Sequence, residues 1–105
     1  MRKRAKRWPC AQSVTVQSGS QTVEAWVDDI SAGGMRITAR CFEATRGTLV
    51  VVSFRGMKAQ GKVCWRNKAV IGLQFDRVLP QAMLSAMTSG TWRHHGVDGV
   101  PLRAR

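Results

Sequence analysis

Short segments in which apolar and polar residues alternate recur about every ten residues along this chain, and this period constrains its fold more than any other feature. With one apolar, β-branched run at 49–54, the six segments cover residues 12–17, 22–27, 35–40, 49–54, 57–65 and 69–75. Turn-forming residues separate them, as in Ser18-Gly19-Ser20 and Arg55-Gly56. Alternation of this kind is typical of strands with one buried face. The pattern therefore predicts a mainly β fold of six short strands, in a small barrel or a sandwich.

The same alternation predicts which side chains point inward. The inward face of the fifth segment carries Met57, Ala59, Gly61, Val63 and Trp65. Phe75 falls on the inward face of the sixth segment. We therefore expect Trp65 and Phe75 inside, and only Trp8 and Trp26 outside.

A helical pattern follows the last strand. Pro80 suits a first helical position, and Gly90 is the expected stop. The apolar residues Met83, Leu84 and Met87 recur between them at helical spacing. We expect one short C-terminal α-helix that caps an open end of the strands, with its methionines in the core.

The length of 105 residues favours a single domain with tails. We divide it into a flexible basic arm at 1–8, a β domain with its helix at 9–90, and a flexible tail at 91–105. No run approaches the roughly 18 apolar residues that cross a bilayer, and no signal-peptide pattern is present. Three cysteines without a CxxC pair fit reduced thiols. A cytoplasmic location is the expectation.

The charge is strongly positive. Lys and Arg number 17 against 6 Asp and Glu, which gives a formal net charge of +11. Such a balance favours anionic partners such as nucleotides, nucleic acid or acidic lipid. Residues 2–7 are Arg-Lys-Arg-Ala-Lys-Arg, so much of this charge is local.

Residues suited to catalysis or metal binding are sparse. His94 and His95 are adjacent, and neither has a histidine three or four positions away. Apart from the pair Asp28-Asp29, the carboxylates are scattered singly. We therefore expect neither an enzyme nor a metal site.

The segment from Asp28 to Gly34 places three chemically distinct groups on one tight connection. Asp29 can accept the N1–H and N2–H of a guanine, and Ser31 can donate to a phosphate or accept from a base. Gly33 and Gly34 let backbone amides approach a ligand without a Cβ in the way. Ordinary turns have the same composition, however, because these side chains also bond to their own backbone.

The arm adds guanidinium groups to this bend. Arg2, Arg4 and Arg7 can bind phosphate oxygens or the O6/N7 edge of guanine in bidentate fashion, and they can stack on purines. The alternative is a solvated basic tail that holds RNA or membrane loosely.

Taken in chain order, these residues resemble the PilZ family of bacterial cyclic di-GMP receptors. The basic arm stands where the family has RxxxR, and the segment from Asp29 to Gly34 stands where it has (D/N)xSxxG. Residues 61–66 and 71–75 look like the final strand pair of the family. The resemblance covers roughly residues 3–88.

The resemblance implies a six-stranded antiparallel β-barrel with a C-terminal helix and cyclic di-GMP on its outer surface. Its arginine arm folds over the ligand, while the second motif holds guanine and phosphate. No further cofactor is implied, and binding is expected to change an interaction with a downstream protein. The residues expected to bind the ligand are Lys3, Arg4, Arg7, Asp29, Ser31, Gly33 and Gly34.

One position departs from the motif. The second arginine of RxxxR falls on Arg7, but the first falls on Lys3. Lysine keeps the charge and loses the planar fork, so Arg2 or Arg4 would have to substitute.

Two alternatives follow from the residues. A small basic barrel with cationic outer strand faces can bind nucleic acid, although the expected shortage of exposed aromatic residues argues against this. The other alternative is a PilZ-like fold that no longer binds cyclic di-GMP and only binds protein. Lysine at position 3, where the motif has arginine, keeps this alternative open.

Overall fold

The computed structural model of the chain describes residues 6–93, with side chains through Thr88. The strands are β1 (Trp8–Ser18), β2 (Gln21–Ile30), β3 (Gly34–Thr38), β4 (Leu49–Phe54), β5 (Met57–Asn67) and β6 (Val70–Phe75). One helix, α1 (Gln81–Arg93), follows them. The prediction of a mainly β chain with six strands and one C-terminal helix is confirmed.

The six strands close into an antiparallel barrel in the order β1-β2-β3-β6-β5-β4. Pairing of β1 with β4 closes it, with Thr15 opposite Ser53 and Gln17 opposite Val51. The alternation allowed either a barrel or a sandwich, and closure shows that the fold is a barrel. In a closed barrel every strand pairs with a neighbour on both sides, whereas the sheets of a sandwich keep unpaired edges.

The core lies inside the barrel and continues under the helix. The largest fully buried side chains are Phe42, Ile30, Met35, Ile37, Ile71, Met83 and Met87. The expectation that Met83 and Met87 fill the core is therefore confirmed. The backbone carbonyl of Met87 accepts from Gln12 Nε2 at 3.4 Å and from Cys10 Sγ at 3.5 Å, which ties α1 to β1. Burial raises the pKa of the Cys10 thiol to about 11, so it stays protonated there.

The helix differs from its predicted bounds at both ends. It begins at Gln81, and the Pro80 carbonyl accepts from Leu84 N at 3.1 Å, so Pro80 precedes the first helical residue. It also runs through Gly90 to Arg93. The predicted stop at Gly90 is wrong, because glycine weakens a helix by about 1 kcal/mol without ending it.

The inward prediction for Trp65 is also wrong, while the one for Phe75 is confirmed. Trp65 is 43 % exposed, and Phe75 is buried. The pairing of β5 with β6 shifts between Val63 and Trp65, so Cys64 forms a β-bulge. A bulge adds one residue to the strand and moves the next side chain to the opposite face. The prediction failed because it assumed unbroken alternation.

A second bulge interrupts β2. Its pairing with β3 shifts between Val27 and Asp29, which leaves Asp28 as the extra residue. Asp28 accepts from Thr38 Oγ1 at 2.9 Å. The alternation resumes beyond it with Asp29 half-buried and Ile30 fully buried. This bulge turns Asp29 toward the outer surface.

The ends of the chain were assigned by prediction to an arm and a tail. Trp8, assigned to the arm, begins β1, and residues 91–93, assigned to the tail, belong to α1. Residues 1–5 and 94–105 lie outside the described range, so the flexibility expected of both ends stays a prediction. The adjacent histidines also fall outside it. Within the described residues, no helix is long and apolar enough to cross a membrane.

We predict that Gly61→Ala destabilises the barrel. A Cβ at Gly61 would clash with the backbone oxygen of Gln74 and lie 3.1 Å from Phe75 Cα, and backbone atoms of a paired strand cannot move aside. We expect the free energy of unfolding to fall by about 1–3 kcal/mol, measured by urea denaturation. The control is Gly33→Ala, where a Cβ would meet nothing within 4 Å. Equal stability of the two variants would contradict the strand packing described here.

Candidate ligand-binding site

The bend between β2 and β3 is held rigidly by backbone hydrogen bonds. Ser31 N donates to Gly34 O at 2.8 Å and closes the bend itself. Phe75 N donates to Gly33 O at 2.9 Å, and Leu79 N donates to Ala32 O at 2.8 Å. The bend is thus fixed to the end of β6 and to the segment that leads into α1.

Ser31 points into this bend and not toward solvent. Its side chain is buried, and Oγ accepts from Gly34 N at 3.2 Å and donates to Gly34 O at 3.4 Å. Gly34 is itself enclosed, because a Cβ there would lie 2.5 Å from Leu73 O. Gly33 is exposed and has open space around its Cα. Of these three residues, only Gly33 presents its backbone outward.

Asp29 connects the arm to the barrel. Its Oδ1 accepts from both Nε (2.8 Å) and Nη2 of Arg7, while its Oδ2 pairs with Arg36 Nη2 at 2.8 Å. The Asp29 side chain is 17 % exposed, whereas each arginine is about half exposed. One carboxylate thus positions two half-exposed guanidinium groups, each of which has further N–H donors.

Lys6 adds a cation next to Arg7 at the start of β1. Its Nζ lies 4.3 Å from the ring centroid of Trp8, a cation–π contact. The predicted site residues Lys3 and Arg4 lie outside the described residues. The structure therefore brings Arg7 and Asp29 together, with the bend adjacent in the chain.

A row of outward residues crosses five strands through this point. Pro9 of β1 pairs with Asp29, Asp29 pairs with Arg36 of β3, and Arg36 pairs with Gly72 of β6. Gly72 in turn pairs with Trp65 of β5. Cross-strand partners share a face of the sheet, so the row forms one continuous outer surface.

The Trp65 indole lies over Gly72 at the end of this row. A Cβ at Gly72 would clash with Nε1, Cε2 and Cδ1 of the ring. Because glycine has no side chain, the ring can lie flat against β6 next to Arg36. The row therefore ends in an aromatic face that can stack on a flat ligand.

Arg36 and Trp65 were not among the predicted site residues. The alternation placed Arg36 on an outer strand face together with several other cations. It did not show the ion pair with Asp29, because that pair depends on the register of β2 with β3. The missed signal was the apolar residue Ile30, three positions after Val27, which marks a bulge at the Asp28-Asp29 pair. For Trp65 a signal was Gly72 in the facing strand, a position where a large side chain can be accommodated.

The described side chains bring no group of three His, Cys, Asp or Glu together in an arrangement that could hold a metal ion. The groups at the site are instead guanidinium, carboxylate and indole, which suit hydrogen bonding and stacking with a planar anionic ligand.

Comparison with known proteins agrees with this architecture. The family model for the PilZ domain matches residues 1–88, so the chain belongs to the PilZ family. Among solved structures it is similar to the PlzA protein of Borreliella burgdorferi, crystallised in complex with c-di-GMP, with a TM-score of 0.65 and 13 % identity. The match covers 82 % of this chain and 39 % of that one. No curated protein matches the sequence.

We predict that Asp29→Asn releases Arg7 from the barrel. The neutral amide loses both ion pairs, so the backbone of residues 6 and 7 should gain fast motion, measured as a lower heteronuclear NOE in ¹⁵N relaxation. Stability should change by less than about 1 kcal/mol, because both guanidinium groups are half exposed. Asp28→Asn is the control, since Asp28 bonds to Thr38 and not to Arg7. Unchanged motion at Arg7 in Asp29→Asn would contradict the anchoring role.

Proposed function

We propose that this protein is a cyclic di-GMP receptor whose ligand binds on the outer row from Asp29 to Trp65. The observation that carries this proposal is the pairing of one carboxylate with two outward guanidinium groups beside an exposed indole. Membership of the PilZ family and the likeness to a protein crystallised with c-di-GMP support the same ligand class. A cytoplasmic location and a non-enzymatic role belong to the proposal.

Each group has a distinct role in this proposal. Arg7 and Arg36 bind phosphate oxygens or the O6/N7 edge of a guanine through the donors that Asp29 leaves open. Asp29 holds both guanidinium groups in place, and the acceptor position that remains on Oδ2 can take one further donor, such as the N1–H of a guanine. Trp65 stacks on the base face. The arm cations Lys3 and Arg4 close over the ligand from the other side.

Ser31, Gly33 and Gly34 serve the site through the shape of the bend. The Ser31 hydroxyl is occupied by Gly34, so we assign it to fixing the bend that follows Asp29. Gly34 allows β3 to approach β6 closely. Gly33 presents exposed backbone to the ligand.

Ordering of the arm is the proposed output. Fixing backbone costs about 1–2 kcal/mol per residue, and each charge-assisted hydrogen bond contributes about 1.5–3 kcal/mol. Several such bonds are needed to hold the arm, so its closure depends on the phosphates of the ligand. A downstream protein that contacts the closed arm would then distinguish the bound state from the free one.

We predict that Arg7→Ala weakens cyclic di-GMP binding by about tenfold or more, because a charge-assisted contact and the arm's anchor are both lost. Isothermal titration calorimetry measures this loss. Arg7→Lys should recover only part of the affinity, since the ammonium group lacks the bidentate fork. Binding should also weaken as salt rises, because the paired groups are partly exposed.

The control for charge is Arg77→Ala. Arg77 is exposed and lines a separate concavity with Lys58 and Pro80, which includes no residue of the row. Its loss changes net charge as much as Arg7→Ala does and should leave affinity unchanged. Equal weakening in both variants would reject a specific role for Arg7. Failure of the wild-type protein to bind would favour the protein-interaction alternative.

We predict that Ser31→Ala also weakens cyclic di-GMP binding about tenfold or more, through loss of the hydroxyl that fixes the bend. The same substitution should lower the free energy of unfolding by about 0.5–1.5 kcal/mol, because a buried hydrogen bond is removed. Calorimetry and urea denaturation measure the two effects. Unchanged affinity in a folded Ser31→Ala variant would remove this residue from the site.

A further inference from the structure

A shallow concavity of about 530 Å³ lies where the 44–46 loop meets the end of the β5–β6 hairpin. Its lining includes Arg46, Cys64, Trp65, Arg66 and Lys68. Arg7, Asp29 and Arg36 are not part of it, and only Trp65 belongs also to the outer row. We call this concavity the hairpin surface.

The hairpin surface carries three cations and no carboxylate. Other described concavities contain acidic residues: the one beside the second exposed tryptophan, Trp26, includes Glu24, and the one beside Lys58 includes Asp76. On β5 the neighbouring outward cation is Lys62, whose strand partners are Leu49 and Gln74. Positive charge is therefore concentrated here without internal neutralisation, which favours a polyanion.

Arg66 holds the concavity in shape. Its Nη1 donates to the carbonyls of Phe42 and Ala44, the latter at 3.0 Å, and its Nε donates to Lys68 O at 2.8 Å. One guanidinium thus joins the loop to the hairpin turn. The surface is preorganised, so a ligand need not order it on binding.

Lys68 occupies a backbone conformation that glycine adopts more easily. Its φ is 58°, in the left-handed region, where a Cβ is unfavourable. In this turn Arg66 binds the backbone carbonyl of Lys68, and any residue at position 68 would supply that carbonyl. The lysine side chain is thus unnecessary for the fold, and it adds a cation next to Trp65.

We propose that the hairpin surface binds single-stranded nucleic acid. Trp65 offers a stacking face for a base, and Arg46, Arg66 and Lys68 surround it with partners for the flanking phosphates. Along a single strand of nucleic acid, each base is flanked by phosphates. An aromatic ring surrounded by cations can therefore stack on the base and pair with the phosphates beside it. Trp65, which the sequence predicted to point inward, is exposed and supplies an aromatic ring among these cations, the element whose expected absence argued against nucleic acid.

The test is fluorescence anisotropy with the whole protein and labelled single-stranded RNA and DNA of about 12 nucleotides, titrated between about 50 and 200 mM salt. We expect binding that weakens with salt. Trp65→Ala should reduce affinity about tenfold through lost stacking. Lys68→Gly should weaken binding and lower the slope of log affinity against log salt by about 0.7, the value for one phosphate contact on a single strand.

Arg55→Gly is the matched control. Arg55 also has a left-handed φ, of 52°, and it lies in the β4–β5 turn at the opposite end of β5. Both glycine substitutions remove one charge and relieve the same kind of strain. Arg55→Gly also loses the cation–π contact of Arg55 with the Phe54 ring, at 4.9 Å from the centroid, so we expect a small fall in thermal midpoint in that variant alone. Arg55→Gly should leave affinity and salt slope unchanged.

Four outcomes would overturn the proposal. If the wild-type protein binds neither oligonucleotide, the hairpin surface is not a nucleic-acid site. Equal weakening by Lys68→Gly and Arg55→Gly shows attraction by net charge alone. Unchanged affinity in Trp65→Ala, or tighter binding of a duplex of the same sequence, excludes base stacking.

Discussion

In a closed barrel every strand has one inward and one outward face, so a side chain reaches the surface only if the alternation places it there. Besides a register shift in β1 between Pro9 and Gln12, β-bulges at Asp28 in β2 and at Cys64 in β5 interrupt that alternation. Asp29 and Trp65 follow them directly, and both lie on the outer row. Without the bulges, both residues would fall on the inward face, where a carboxylate would be buried without compensation. The candidate site therefore depends on these two irregularities.

Asp29 also determines what the rest of the site can do. By pairing with Arg7 and Arg36 it fixes both guanidinium groups before any ligand arrives. Preorganised donors lose less conformational freedom on binding than free side chains do. The rigid bend that follows Asp29 keeps this geometry constant. Trp65 belongs to both proposed surfaces, so on these proposals a cyclic dinucleotide and a nucleic acid strand would compete for its ring.

The strand count and the helix could be predicted from the sequence because they depend on local alternation and helical spacing. The bend motif and the basic arm could be found for the same reason, since their residues are close in the chain. The outward position of Trp65 could not be predicted, because the extra residue at Cys64 moves the next side chain to the opposite face of the strand. The role of Arg36 depends on its register with Asp29, which is a property of the paired strands. The helix continues past Gly90 because one glycine weakens a helix by about 1 kcal/mol and does not end it.

Titration of cyclic di-GMP into ¹⁵N-labelled protein, followed residue by residue by amide and indole chemical shifts, is the most direct test of the account. We expect the largest changes at Arg7, Asp29, Gly33 and Arg36 and at the Trp65 indole N–H, with new protected signals from the arm. Shift changes concentrated instead around Lys58, Asp76 and Arg77, or no saturable changes at all, would contradict it.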